Sequence, residues 1–233
     1  MNLFYQPEVS HGILHLDEDE SRHVIKVLRK KHGDLINLTD GKGFFYEATI
    51  SQPDPRQCSF TIDKKIQEPQ KDFRIHIAIS PTKNADRIEW FVEKAVELGI
   101  DEITLLECDR TERQRLKIDR LLKMAISAMK QSLKATLPLI HPLTSFTSVA
   151  QAAHTKQKYI AYVDSHNPHL LKNLVSPGSE YIVLIGPEGD FSHEELTFAE
   201  KLEFKKVSLG TSRLRTETAG LAACHILNLA NTP

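Results

Sequence analysis

Three carboxylates and two guanidiniums crowd two glycine-marked turns near the C-terminal end of the chain: Glu188, Asp190 and Glu217, with Arg213 and Arg215. A carboxylate can take a proton or accept hydrogen bonds from ribose hydroxyls. A guanidinium can hold a phosphate or stabilise negative charge that develops on a reacting ring. The first turn, Gly186-Pro187-Glu188-Gly189-Asp190-Phe191, follows the apolar run Tyr181 to Ile185 and precedes a helical pattern that opens at Ser192. The second, Gly210 to Arg215, follows Val207-Ser208-Leu209 and precedes a helix that opens near Thr216. Open α/β sheets bind ligands outside the carboxyl ends of their strands, and glycine lets backbone approach a ligand closely. The two turns could therefore line one pocket suited to a nucleoside-type cofactor. Two ordinary strand-to-helix turns fit the spacing equally well. The helix dipole alone would favour Glu217 at a helix start. Arg215, lying between a glycine turn and a helix start, has no comparable structural reason.

Other groups in the chain carry charge or ligating atoms. Arg22, Lys26, Arg29, Lys30 and Lys31 form one basic stretch, and Arg110, Arg113, Arg115, Lys117, Arg120, Lys123, Lys130 and Lys134 another. In a chain of formal net charge -1 this is segregated charge, which binds a phosphate backbone or is simply a pair of solvated helix faces. His166 with His169 and His11 with His15 lack cysteine or carboxylate partners in a ligand pattern, so they read as surface histidines and no metal is expected. The glycine turns match neither Gly-x-Gly-x-x-Gly nor a phosphate-binding Gly-Lys-Ser/Thr loop. Cys58, Cys108 and Cys224 stand too far apart for a zinc knuckle, and free thiols fit a reducing cytoplasm. No run is long and apolar enough to suggest a membrane span, and the N-terminus lacks a signal-peptide pattern.

Two kinds of element must position these groups. With 233 residues, 40% hydrophobic and 26% charged, the chain is long enough for one large domain or two small ones. Up to Gln70 it reads as mostly β, with strands at 13–16, 35–39, 44–50 and 59–66 and one helix at 17–29 bearing Val24, Val27 and Leu28 on its apolar side. This is the pattern of a small barrel. Past Glu68-Pro69-Gln70-Lys71-Asp72 the pattern alternates. Strands are expected at 73–79, 102–106, 158–163, 181–185 and 205–209, and helices at 85–98, 118–134, 168–174, 192–201 and 216–230. Such alternation implies a mainly parallel sheet flanked by helices. Ser192 and Glu195 make a capping box, and Gly99 is placed to end its helix. Gly220 with Ala219, Ala222 and Ala223 gives the last helix a small-residue face for close packing, within the core or across a dimer.

At these residues the chain resembles the ribosomal RNA small subunit methyltransferase E family. The resemblance covers nearly the whole length. It rests on His23-Val24, Val27-Leu28-Arg29, Gly33-Asp34 and Asp40-Gly41, then on Lys83, Arg87, Glu89, the run Lys94 to Ile100 and Arg110-Thr111-Glu112. At the C-terminal end it rests on Ile185-Gly186-Pro187-Glu188-Gly189, Leu209-Gly210 and Leu214 to Ala219.

The resemblance implies a PUA-like β-barrel over residues 1–70 that helps hold RNA. It implies a SPOUT-type α/β domain with a trefoil knot over 73–233. It also implies a homodimer in the cytoplasm that transfers a methyl group from S-adenosylmethionine to N3 of a uridine in 16S rRNA. Carried over residue by residue, cofactor binding falls to Leu184, Gly186, Glu188, Gly189, Leu209, Gly210, Leu214 and Thr216. The chemistry this activity needs assigns catalysis to Arg215, which would place or polarise the uracil, then to Glu217 for proton removal and to Arg110 as an RNA-phosphate or active-site contact, and RNA binding to Arg22, Arg29, Lys30, Arg87 and Lys134. Another RNA substrate such as tRNA, or a non-catalytic RNA-binding assembly protein, are the competing readings. Three positions depart from the family pattern. Lys130 and Lys134 stand where Glu and Arg are usual around Gln131-Ser132, and Asp190 replaces a second glycine.

Overall fold

The structure is a computed structural model that describes residues 2–112, 116–162 and 169–232. Arg113, Arg115, Val163, His166 and Pro168, named above, lie outside the described residues. The chain divides into two compact units, 1–70 with 126–137, and 71–125 with 138–233.

In the first unit β1 (Leu3–Tyr5), β2 (Leu35–Thr39), β3 (Phe44–Gln52) and β4 (Ser59–Gln67) form one sheet in that order. Only β1 and β2 are parallel. Phe4, Leu38, Ala48, Ile50 and Phe60 project from it into one core with Leu16 and Val24. Helix α1 (Glu18–Arg22) starts where the Asp17 side chain accepts from Glu20 N at 2.8 Å, and it continues as one wider turn over His23–Val27. The chain leaves that turn through Arg29 at φ 55°, so the helical run is shorter than the expected 17–29. Val27 is exposed, not part of the apolar face.

The expected strand at 13–16 is reduced to a single bridge between His15 and Ser59, with Ile13 and Leu14 left exposed. Residues 126–137, read from sequence as part of the alternating domain, belong to the first unit. The Ala135 carbonyl accepts from Thr39 Oγ1 (3.1 Å) and Gly43 N (3.0 Å), and Leu137 N donates to the Gly41 carbonyl at 2.9 Å. Lys130 pairs with the buried Glu20. The lysine that reverses the usual family charge therefore has a carboxylate waiting for it.

The second unit is a six-stranded, wholly parallel sheet built from β5 (Arg74–Ile79), β6 (Glu102–Glu107), β7 (Leu139–Ser145), β8 (Gln157–Ala161), β9 (Glu180–Ile185) and β10 (Lys205–Val207). The strand order is β10-β8-β9-β5-β6-β7. Its helices are α2 (Ala85–Leu98), α3 (Ile118–Gln131), α4 (Phe146–Ala152), α5 (Leu171–Leu174), α6 (His193–Lys201) and α7 (Thr216–Ala230), with the C-terminal end of α3 running into the first unit. Helix α2 begins at Asn84, whose side chain caps Asp86 N, and ends at Gly99 with φ 88°. Its Ile88, Phe91, Val92 and Ala95 are fully buried.

Strand β7 and helix α4 were not expected from the sequence. β7 is a half-exposed edge strand with Pro142 inside it, which weakens the pattern that betrays a strand. Helix α7 lies against α2 and β5. A Cβ at Gly220 would stand 2.8 Å from Ile79 Cδ1 and 2.8 Å from Phe91 Cε2. This assigns Gly220 to the packing of α7 within the unit.

His76 sits inward on β5, its Nε2 2.8 Å from Thr104 Oγ1. Burial outweighs the nearby Glu102 carboxylate and pushes its pKa down to about 4. The fold thus holds the neutral ring, while the unfolded chain protonates near 6.5. The folded pKa is the lower one, so this contribution is complete above pH 6.5 and is lost as pH falls from there through 4. Denaturant midpoints should reveal a loss of about 3 kcal/mol over that window that shrinks in His76→Gln. An unchanged pH dependence in the variant removes His76 as its source.

Candidate active site

The carboxyl ends of β5, β6, β9 and β10 carry the segments 80–84, 108–112, 186–192 and 208–215. β5 and β9 are adjacent; the chain runs from β5 through β6 to β7 on one side and then crosses to the other, where β8, β9 and β10 lie, so the border of β5 and β9 is the switch point at which open sheets take ligands. The first turn is held tight by its own residues. Asp190 N donates to the Pro187 carbonyl at 3.0 Å, and a Cβ at Gly186 would lie 3.0 Å from the Phe191 ring. Asp190, which replaces the usual glycine, adopts φ 60° and its own carboxylate accepts from Phe191 N at 2.9 Å. Short polar side chains tolerate this left-handed backbone, so the departure keeps the turn.

β10 and β9 are separated by β8 in the sheet. The second turn is nevertheless brought to the first by α7, because Thr216 Oγ1 donates to the Gly186 carbonyl at 3.2 Å. Leu184 and Gly186 are buried, Leu209 and Leu214 are half-buried, and Glu188, Gly189 and Gly210 are exposed. Gly210 has φ 140° and open space on the side a Cβ would occupy. Arg215 is the N-cap of α7, with an exposed side chain that makes no capping bond. Two positions on, the side chain of Glu217 is only 8% exposed. Its Oε1 is 3.9 Å from Arg87 Nε, and its Oε2 is buried without a hydrogen-bond partner. A buried acceptor left unpaired is costly and marks a place where a ligand donor would fit.

Arg87 and Arg110 have partners within the protein. Arg87 Nη1 donates to Glu188 Oε1 at 3.0 Å. Arg110 Nη1 donates to the Gly189 carbonyl at 2.7 Å and reaches that of Phe191 at 3.5 Å. Beneath Arg110 lies a network absent from the expected site. Ser192 Oγ donates to Asp109 Oδ2 (2.6 Å), Asp109 N to Glu195 Oε1 (3.0 Å), and Ser80 Oγ meets Thr111 Oγ1 (2.9 Å). The capping box of Ser192 and Glu195 is present as expected; its spacing was the one signal of this network in the sequence. Burial and the Glu195 carboxylate raise the Cys108 pKa, so that thiol stays protonated and is no nucleophile.

The remaining candidates lie in the first unit. Arg22 is exposed and paired with Glu18, Arg29 is exposed, and Lys30 Nζ reaches the Leu35 carbonyl at 3.2 Å. Lys134 is half-buried.

A family model described as an RNA methyltransferase domain matches residues 69–228, and one described as an RNA methyltransferase PUA domain matches 16–63. The ribosomal RNA small subunit methyltransferase E of Buchnera aphidicola (Acyrthosiphon pisum) is 30% identical over 88% of this chain and 83% of its own. That of Rickettsia conorii is 27% identical over 90% and 87%. Among solved structures, a probable rRNA-methyltransferase from Porphyromonas gingivalis aligns with TM-score 0.94 and 41% identity over 99% of this chain and 98% of that one. A ribosomal RNA small subunit methyltransferase E from Neisseria gonorrhoeae bound to S-adenosyl methionine aligns with TM-score 0.87 and 26% identity over 99% and 98%.

Proposed function

Because the chain belongs to the ribosomal RNA small subunit methyltransferase E family, we propose that it methylates N3 of one uridine in 16S rRNA at the cleft between its two glycine turns. It is an S-adenosylmethionine-dependent rRNA methyltransferase with an α/β catalytic domain and an N-terminal PUA domain. The cofactor supplies an electrophilic methyl group on a sulfonium. The residues present fit it: Gly210 leaves open space where a side chain would stand, and Leu184, Leu209 and Leu214 offer apolar surface beside the turns. Leu184, Gly186, Glu188, Gly189, Leu209, Gly210, Leu214 and Thr216 are the proposed cofactor contacts.

Uridine N3 carries a proton, so its lone pair becomes available only as that proton departs. Glu217 is the proposed acceptor. The observation that carries this is its buried, partnerless Oε2 beside both turns. As N3 loses its proton, negative charge spreads to the ring oxygens, and the exposed Arg215 is placed to stabilise it. With the proton on Glu217 and the ring charge held by Arg215, N3 would be free to accept a methyl group.

Arg22, Arg29, Lys30 and Lys134 are proposed to hold RNA backbone from the first unit. The enzyme is proposed to work in the cytoplasm, which is where a ribosomal substrate would be met. Among the described residues, no helix is long and apolar enough to cross a membrane. The C-terminal segment is proposed to thread a trefoil knot. Supporting this, Ser208 N donates to the His169 carbonyl at 2.8 Å before α7 turns back onto β5. The working unit is proposed to be a homodimer, since Trp90 on α2 and Leu229 on the adjoining α7 are 41% and 58% exposed.

The test is nucleoside mass spectrometry of small-subunit rRNA from a deletion strain. Loss of one N3-methyluridine, restored by the purified protein sedimenting as two chains, is the expected result. Unaltered rRNA overturns the substrate, and a single-chain mass overturns the dimer.

A further inference from the structure

We infer that Arg87 and Arg110 clamp the Gly186–Phe191 turn from two sides and so set cofactor affinity, instead of contacting RNA phosphate or the reacting base. This rests on the reading that the turn grips S-adenosylmethionine. Both side chains donate to the turn, and Arg87 Nε also lies 3.9 Å from Glu217 Oε1. Arg110 crosses the backbone of Gly189, where a Cβ would meet its Cδ at 3.3 Å, and donates to the Gly189 carbonyl at 2.7 Å. Arg87 comes from α2 and holds the only side chain in the turn that it reaches by hydrogen bond, Glu188, at 3.0 Å. One guanidinium therefore fixes the turn's backbone and the other its side chain.

The clamp has a rigid base. Arg110 springs from a segment tied to the end of β5 through Ser80–Thr111 and to the start of α6 through Asp109, Ser192 and Glu195. Cys108 N also donates to Thr111 Oγ1 at 2.8 Å, closing the segment on itself. Arg87 sits in the first turn of a helix whose apolar face is fully buried. A turn held in this way loses little freedom when a ligand settles on it, which raises affinity without any contact between the arginines and the ligand. Arg110 commits its Nη1 to the turn's carbonyls and Arg87 its Nη1 to Glu188. Arg87 and Arg110 are accordingly positioning residues.

The test is calorimetric titration of S-adenosylmethionine, run beside filter binding of a 16S rRNA fragment across a salt series. Arg110→Ala and Arg87→Ala should each raise the cofactor Kd about tenfold or more, with RNA affinity and its salt slope unchanged. Arg110→Lys keeps the charge but not the planar fork, so it should lose cofactor affinity while keeping RNA binding. Gly189→Ala should push the Arg110 stem aside and weaken the cofactor by a smaller factor. It serves if the arginine variants fail to fold, as judged by thermal melting.

Unchanged cofactor binding in the folded variants overturns the clamp. So does a fall in RNA affinity with the salt slope reduced by about one per arginine, the signature of a lost phosphate contact. If the wild-type protein itself gives no heat with S-adenosylmethionine, the cofactor reading falls first and takes the clamp with it.

Discussion

Glu217→Gln is expected to slow methyl transfer by about 10²- to 10⁴-fold, the range spanned by loss of a positioned proton acceptor. The amide keeps the size of the side chain and leaves Arg87 its bond to Glu188. Folding and S-adenosylmethionine affinity should therefore survive. What disappears is an oxygen able to bind the N3 proton. Single-turnover transfer to small ribosomal subunits, with cofactor saturating, reads this chemical step apart from binding. A variant that keeps the wild-type single-turnover rate shows that the proton leaves by another route, and Glu217 would then be only the buried start of α7.

Arg215→Ala is expected to cost about 10²- to 10³-fold in the same assay, comparable to removing one donor from a developing oxyanion. Its side chain makes no capping bond and is exposed, so the fold has little invested in it. Stability should change by less than about 0.5 kcal/mol, as at surface positions generally. Arg215→Lys should recover part of the rate, since the charge returns without the planar fork. The two variants together separate charge from geometry. Equal loss in KM and none in the single-turnover rate would make Arg215 a substrate-binding residue and take it out of the chemical step. Wild-type turnover would remove it altogether.

Helix α2 was legible residue by residue, from 85 to 98, because its apolar positions recur at helical spacing and Gly99 ends it. The core strands β5 and β9 were legible for a related reason, since strands buried on both faces read as unbroken apolar runs. Three-residue β1 was invisible, being too short to show any period, and β7 was hidden by its proline and its exposed edge. The segment 126–137 was misplaced because its period is that of the alternating domain. Its partners are single main-chain groups of Thr39, Gly41 and Gly43, which periodicity does not record. The candidate site was half legible: the glycine turns, Arg215 and Glu217 were all singled out. The contacts of Arg87 and Arg110 were not, because an arginine bonded within the protein and one that waits for a phosphate are the same letter in the same place.

Local chemistry, written into the sequence, determined the parallel α/β architecture, the two turns and the charges that flank them. A strand's burial and a turn's backbone depend on residues close together along the chain. Which charges cancel, which stay unpaired, and which loops meet were decided by tertiary structure alone. Those depend on distances between residues far apart in sequence, such as the 3.0 Å from Arg87 to Glu188 and the 2.7 Å from Arg110 to Gly189.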